Sequence, residues 1–220
     1  MSNLLRKRQA EPEECEAIEC RILFVGSPDC GKTSIIQRYT RNTFSEEKQS
    51  SPRFIGIDPL DHLELEFEPP VKFVIWDSNG AEAFECTKSS VFRSSHIIVV
   101  VYAIDDEQSF STAERWLKKI RKARGSNCIT MLVGNKFDRA KDAESPVVKK
   151  SQGENLSERY DCKLHIQTSA KTNAAVRDIF SKVPEIYAQE PGVFAGAQSV
   201  IRLEPPSSTS SSQTSKKCSC

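Results

Sequence analysis

The sequence predicts an α/β fold: a six-stranded, mostly parallel sheet with one antiparallel edge strand and helices on both faces. Ile97 to Ile104 is apolar at every position, the mark of a strand covered on both faces. Pro69-Pro70 separates two strand-like runs, Leu63 to Phe67 and Val71 to Trp76, which reads as a hairpin and supplies the antiparallel edge. From about residue 21 to residue 189, apolar runs of strand length alternate with runs of helical spacing, the pattern of strands crossed over by helices.

The elements follow in order. Residues 1–18 are charged and aperiodic and read as a mobile arm. Arg21 to Val25 is a short buried strand that stops at a glycine. Ile35, Ile36 and Tyr39 place a helix over Lys32 to Phe44. Residues 45–56 form a loop. Leu63, Leu65 and Phe67 alternate with Glu64 and Glu66, a half-exposed strand. Ser111 with Glu114 three residues on is a capping box, opening a helix with Ala113, Trp116, Leu117 and Ile120 inward. Cys128 to Val133 is a buried strand, 146–160 a weakly periodic helix, and Lys163 to Gln167 the last strand. A helix from about Asn173 to Gln189 turns Val176, Ile179, Phe180 and Val183 inward, with a kink at Pro184. Residues 205–215 are almost all Pro, Ser, Thr and Gln, too polar to bury. The domain therefore spans 19–190, followed by a disordered tail over 191–220.

With 220 residues the chain holds one such domain. Lys plus Arg number 31 against 30 Asp plus Glu, a net charge of +1, so no whole-protein field draws in nucleic acid. No apolar run reaches the roughly 18 residues that span a bilayer. The basic Arg6-Lys7-Arg8 leads into glutamates rather than an apolar run, so no secretory signal is expected. Cys15, Cys20, Cys30, Cys86, Cys128 and Cys162 are scattered, as in a reducing compartment. His62, His96 and His165 stand apart from one another and carry no expected role.

The chemistry gathers at the carboxyl ends of the strands, where open α/β sheets place ligands. Gly26-Ser27-Pro28-Asp29-Cys30-Gly31-Lys32-Thr33 fits G-x-x-x-x-G-K-[ST], a loop whose backbone N–H groups cradle phosphates ahead of a helix. Gly26, Asp29, Cys30, Gly31, Lys32, Thr33 and Ser34 make up the candidate cradle. Lys32 is expected to reach the β- and γ-phosphates and Thr33 to ligate Mg²⁺. Asp77, ending the third strand, is the second candidate Mg²⁺ ligand, and Gly80 allows an N–H to approach the γ-phosphate. Asn135, Lys136 and Asp138 follow the fifth strand. The Asp138 carboxylate suits the N1–H and amine of guanine, a donor pair that adenine lacks. Ser169, Ala170 and Lys171 follow the sixth strand, with the Ala170 N–H facing the guanine oxygen.

The ordered set GSPDCGKT, WDSNG, GNKFD and TSAK resembles the small GTPases of the Ras superfamily over about residues 19–190. The Rab branch is the most similar: Phe54-Ile55-Gly56-Ile57-Asp58 resembles its switch I segment, and Val99 to Tyr102 followed by Asp106 to Phe110 resembles its next strand and helix start. Lys216-Lys217-Cys218-Ser219-Cys220 is similar to the doubly prenylated C-x-C end of many Rabs. One lipid chain anchors marginally and two anchor stably, so Cys218 and Cys220 together suit lipidation.

The resemblance implies a single P-loop GTPase domain that binds GTP and GDP with Mg²⁺. It also implies effector, exchange-factor and GTPase-activating partners, prenylation machinery and escort or GDP-dissociation-inhibitor-type proteins. The place of work would be the cytosolic face of an intracellular membrane, in vesicle or organelle traffic. Trp76 and Phe54 fall where Rab relatives form an effector surface. Four departures bear on the γ-phosphate. Phe54 stands where the family has the switch I threonine, with Ser50 or Ser51 as possible substitutes. Ala81 stands where the family has its catalytic glutamine. Pro28 and Asp29 replace small residues of the phosphate loop. The expectation is guanine-nucleotide binding with slow intrinsic hydrolysis; a non-cycling binding or scaffold module and an ATP-dependent kinase are the competing classes.

Overall fold

A computed structural model describes residues 13–46, 60–64, 66–68, 70–78, 90–140, 147–195 and 198–203. The chain forms β1 (Glu13–Gly26), α1 (Lys32–Arg41), β2 (Leu60–Glu64), β3 (Val71–Asp77), α2 (Ser90–Ser94), β4 (Ile97–Ala103) and α3 (Glu107–Arg124). Then come β5 (Ile129–Asn135), α4 (Lys150–Arg159), β6 (Leu164–Gln167), α5 (Val176–Ser181), α6 (Val183–Gln189) and β7 (Gln198–Leu203). The sheet order is β2-β3-β1-β4-β5-β6, with β7 paired to β1. β2 runs antiparallel to β3 and the strands from β3 to β6 are parallel, as expected.

β4 is buried at every position, and its alternation divides the core in two. Ile97, Val99, Val101 and Ala103 pack with Ile35 and Ile36 of α1, Ile179 and Phe180 of α5, and Ile186 of α6. Ile98, Val100, Tyr102 and Ile104 pack with Trp116, Leu117 and Ile120 of α3 and Leu156 of α4. Gly26 of β1 lies beside Val101 of β4, and Tyr102 beside Gly134 of β5. The strands therefore end at one level and open one rim.

Four boundaries differ from the sequence reading. β1 starts at Glu13, inside the stretch read as an arm, because Glu13–Ile18 pairs antiparallel with Gln198–Leu203, inside the stretch read as tail. The sheet thus has a seventh strand, held by a backbone ladder that side-chain composition does not encode. α3 starts at Glu107 rather than near Ser111. The Asp106 carboxylate accepts the N–H groups of Gln108 at 2.9 Å and Ser109 at 3.2 Å, and this cap one turn earlier outcompetes the Ser111 signal. β2 sits earlier than expected, Leu60–Glu64, and Phe67 is buried in the following turn against Phe73. The last helix is interrupted at Lys182, with Pro184 in the first turn of α6, because proline lacks the N–H that an unbroken helix needs there.

Below the sheet, His96 is buried just before β4. Its Nδ1 accepts the Arg21 N–H at 3.1 Å, and the ring packs on Phe194 at 5.1 Å. The Arg124 guanidinium sits in the same corner, donating to the Phe92 carbonyl at 2.8 Å and the Ser95 carbonyl at 3.0 Å. Burial first, then Arg21 and Arg124, push the imidazole pKa down to about 4. The unfolded chain therefore takes up this proton first as pH falls through 6.5, and stability drops until the folded pKa is passed. Relative to pH 7.5, His96 alone is expected to remove about 2 kcal/mol by pH 5. Urea unfolding of the parent and a His96→Asn variant at the two pH values checks this: the variant should lose that part of the pH dependence, and parallel profiles would contradict it.

Candidate functional site

The loop after β1 needs two glycines for different reasons. A Cβ on Gly26, whose φ is +149°, would lie 2.2 Å from the Val101 carbonyl oxygen. A Cβ on Gly31, whose φ is +95°, would lie 2.1 Å from the Asn135 amide nitrogen. The loop is thus wound tightly against β4 and β5, and α1 opens directly from it at Lys32. Asp29 also has positive φ, +61°, a region that aspartate tolerates better than most residues. Asp29 and Pro28 are exposed on the rim. Cys30 is buried behind the loop, and burial raises its thiol pKa above the ordinary value.

Lys32 is buried, only 5% exposed. Its ammonium donates to the carbonyls of Gly26 at 3.2 Å and Ser27 at 2.8 Å. The charge therefore sits under the loop, spanning the turn that it would share with a phosphate. Thr33 and Ser34 open α1, and the Thr33 hydroxyl donates to Asp77 Oδ2 at the end of β3. The other carboxylate oxygen, Oδ1, is buried without a hydrogen-bond partner. Burial raises the Asp77 pKa, opposed by the Thr33 hydrogen bond and the Lys32 charge. An under-satisfied carboxylate beside a hydroxyl is a hard-oxygen pair suited to a magnesium ion.

Asn135, ending β5, is 2% exposed and joins the two halves of the rim. Its amide donates to the Cys30 carbonyl at 3.0 Å. Its oxygen accepts the Ala170 N–H at 3.2 Å and, more distantly, the Thr168 hydroxyl at 3.4 Å. Next to it, Lys136 takes positive φ, +67°, and its ammonium lies 3.7 Å from Asp105 Oδ1. The Ser169 hydroxyl donates to Asp138 and accepts the Thr172 N–H at 3.1 Å. Lys171 pairs with Glu46 at 2.6 Å.

The structure therefore brings Gly26, Asp29, Cys30, Gly31, Lys32, Thr33, Ser34, Asp77, Asn135, Lys136, Asp138, Ser169, Ala170 and Lys171 to one rim. Gly80, Ala81, Ser50, Ser51, Phe54, Cys218 and Cys220 lie outside the described residues. One contributor went unread in the sequence. Arg38 of α1 donates through Nε to the Ala170 carbonyl at 2.8 Å and through a terminal nitrogen to the Lys171 carbonyl at 3.1 Å. It also lies over the Phe44 ring at 5.8 Å. An arginine on an amphipathic helix reads as a solvated residue, and its partners are 132 and 133 positions away.

The family model described as "Ras family" matches residues 21–188. Ras-related protein Rab-12 of Mus musculus is 31% identical over 178 residues, covering 80% of this chain and 70% of the relative. Rab-12 of Rattus norvegicus and of Homo sapiens match with the same identity and coverage.

Removing the Asn135 amide strands a buried carbonyl and a buried N–H from two different loops. Asn135→Ala is expected to destabilise the ligand-free chain by about 2–4 kcal/mol, read by urea unfolding. A loss below about 0.5 kcal/mol, the range of an ordinary surface substitution, would mean that the two loops do not depend on this side chain.

Proposed function

The chain belongs to the Ras family, as a Rab-like small GTPase, and on that premise we propose a membrane-attached guanine-nucleotide switch with slow intrinsic hydrolysis. One observation carries the reading: hydrogen bonds link all four motifs into one site, Thr33 to Asp77, Cys30 to Asn135, Asn135 to Ala170, and Ser169 to Asp138.

In this reading the backbone of Gly26 to Thr33, with Ser34, cradles the phosphates, and Lys32 exchanges its loop carbonyls for phosphate oxygens. Thr33 and Asp77 are the residues that would hold Mg²⁺, which neutralises charge on the β- and γ-phosphates when bound. The Gly80 N–H would be the group offered to the γ-phosphate. Asp138 accepts from the guanine N1–H and amine, the Ala170 N–H meets the guanine oxygen, and Lys136 and Lys171 flank the base. Ser169 holds Asp138 in place through its hydroxyl. Adenine would leave Asp138 and the Ala170 N–H mismatched, which a closed polar site rejects strongly.

Hydrolysis depends on placing a water in line with the γ-phosphate. Ala81 carries a methyl where the family resemblance implies a glutamine amide, and a methyl orients no water. Binding chemistry is retained while the orienting group is absent. Effector, exchange-factor and GTPase-activating proteins would then act on nucleotide state. Attachment through lipidated Cys218 and Cys220 would place the switch on an intracellular membrane, in vesicle or organelle traffic. A non-cycling module held in one nucleotide state is the second reading, and Ala81, Pro28 and Phe54 at the switch I position are what favour it.

Nucleotide extracted from the purified chain should be GDP or GTP. An Asp138→Ala variant should bind GDP at least about a hundredfold more weakly. Recovery of adenine nucleotide would overturn the assignment. In single-turnover assays Ala81→Gln is expected to speed GTP hydrolysis by tenfold or more, roughly 1.4 kcal/mol of barrier. Equal rates would show that the missing amide is not what limits the reaction.

A further inference from the structure

The proposed switch leaves one charged surface unused. Between Arg115 and Arg124, α3 carries six basic residues and no acidic one, in a chain whose net charge is only +1. Arg115, Lys118 and Lys122 recur at helical spacing and are all exposed, directly opposite the buried Ala113, Trp116, Leu117 and Ile120. Among the described residues, no carboxylate lies within ion-pair distance of these three. Glu114, one turn before Lys118 and placed to pair with it, is taken instead by Arg159 of α4 at 3.1 Å. Charge near the end of a helix complements its dipole, which accounts for Arg121, Lys122 and Arg124. Arg115 and Lys118 lie further in, where that effect has faded.

The stripe points toward the end of the molecule where the chain's tail departs. α3 leaves the nucleotide rim after β4 and returns to the starts of the strands, where Arg124 holds the Ser95 carbonyl ahead of β4. β7 runs along β1 to the same end, its Leu203 beside Glu13. The remaining residues 204–220 end at Lys216-Lys217-Cys218-Ser219-Cys220 and reach at most about 60 Å. A surface tethered that closely meets the bilayer repeatedly at high local concentration.

We infer that the Arg115–Lys118–Lys122 stripe of α3 is a docking face for anionic lipid headgroups, which turns the domain on the membrane so that α3 lies against the bilayer. The orientation rests on the tail being the membrane anchor; the stripe's affinity for lipid does not. Each basic side chain near an anionic bilayer adds about fivefold to binding. The three together therefore contribute roughly a hundredfold, and the contribution is screened by salt.

The test uses the full, unlipidated chain in sedimentation with vesicles of phosphatidylcholine alone and of phosphatidylcholine with phosphatidylserine, at low and at physiological salt. The parent is expected to bind only the anionic vesicles and to release as salt rises. Arg115→Gln, Lys118→Gln and Lys122→Gln together should lower that binding by roughly a hundredfold, with the nucleotide affinity unchanged. Equal vesicle binding by parent and triple variant overturns the proposal, as does tighter binding to duplex DNA than to the anionic vesicles. If Cys218→Ser with Cys220→Ser releases the protein from cell membranes while the stripe fails this test, the stripe is refuted and the anchor stands; retention of that double variant on membranes refutes the anchor instead.

Discussion

The rim at the carboxyl ends of the strands depends on one buried side chain. Asn135 carries a donor group and an acceptor oxygen on a single planar amide, and the structure places them in two different loops: Cys30 on one side, Ala170 and Thr168 on the other. Buried polar groups left unpaired are costly, so each loop is held in the place that satisfies the amide. The constraint also runs back to the sequence. Gly31 has no side chain because a Cβ there would meet the Asn135 nitrogen. Within the G-x-x-x-x-G-K-[ST] pattern, the second glycine therefore serves packing against Asn135 as well as the tight turn of its own loop. Arg38 repeats the joint from the other side, fixing the carbonyls of Ala170 and Lys171 to the helix that leaves the phosphate loop.

That joint works because the sheet beneath it is rigid. β4 is buried on both faces and aligned with β1 and β5 so that their last residues fall at one level. Close-packed interiors do not deform gradually, which keeps Asp77, Asn135 and the glycine loop in fixed relation. The same rim holds the under-satisfied groups. Asp77 Oδ1 and the hydroxyl of the neighbouring Ser78 are both buried without a hydrogen-bond partner. Such incomplete satisfaction is expected where a ligand completes the arrangement.

What the sequence made readable, and what it did not, follows from the range of the interactions. β4 was readable because burial on both faces leaves no polar position. The G-x-x-x-x-G-K-[ST] loop and Asp138 stood out as candidates because chemistry fixes residue types at short spacing. The start of α3 was misplaced because two caps compete within one turn, Asp106 and Ser111, and spacing alone does not rank them. The β1–β7 pairing was invisible: its glutamate-rich and serine-rich surroundings resemble unfolded chain, and its partners lie at opposite ends of the sequence. Arg38 and Asn135 show a further limit. Both were visible as residues, but the loops they join meet only in three dimensions.

The central claim is that the phosphate loop and the base loop act as one guanine-nucleotide site. Amide hydrogen exchange in Gly26 to Thr33 and in Ser169 to Lys171, with and without GDP and Mg²⁺, tests it most directly. The account predicts that GDP slows exchange in both segments, and that Asn135→Ala weakens the slowing in both. Protection confined to one segment, or no protection in either, would contradict it.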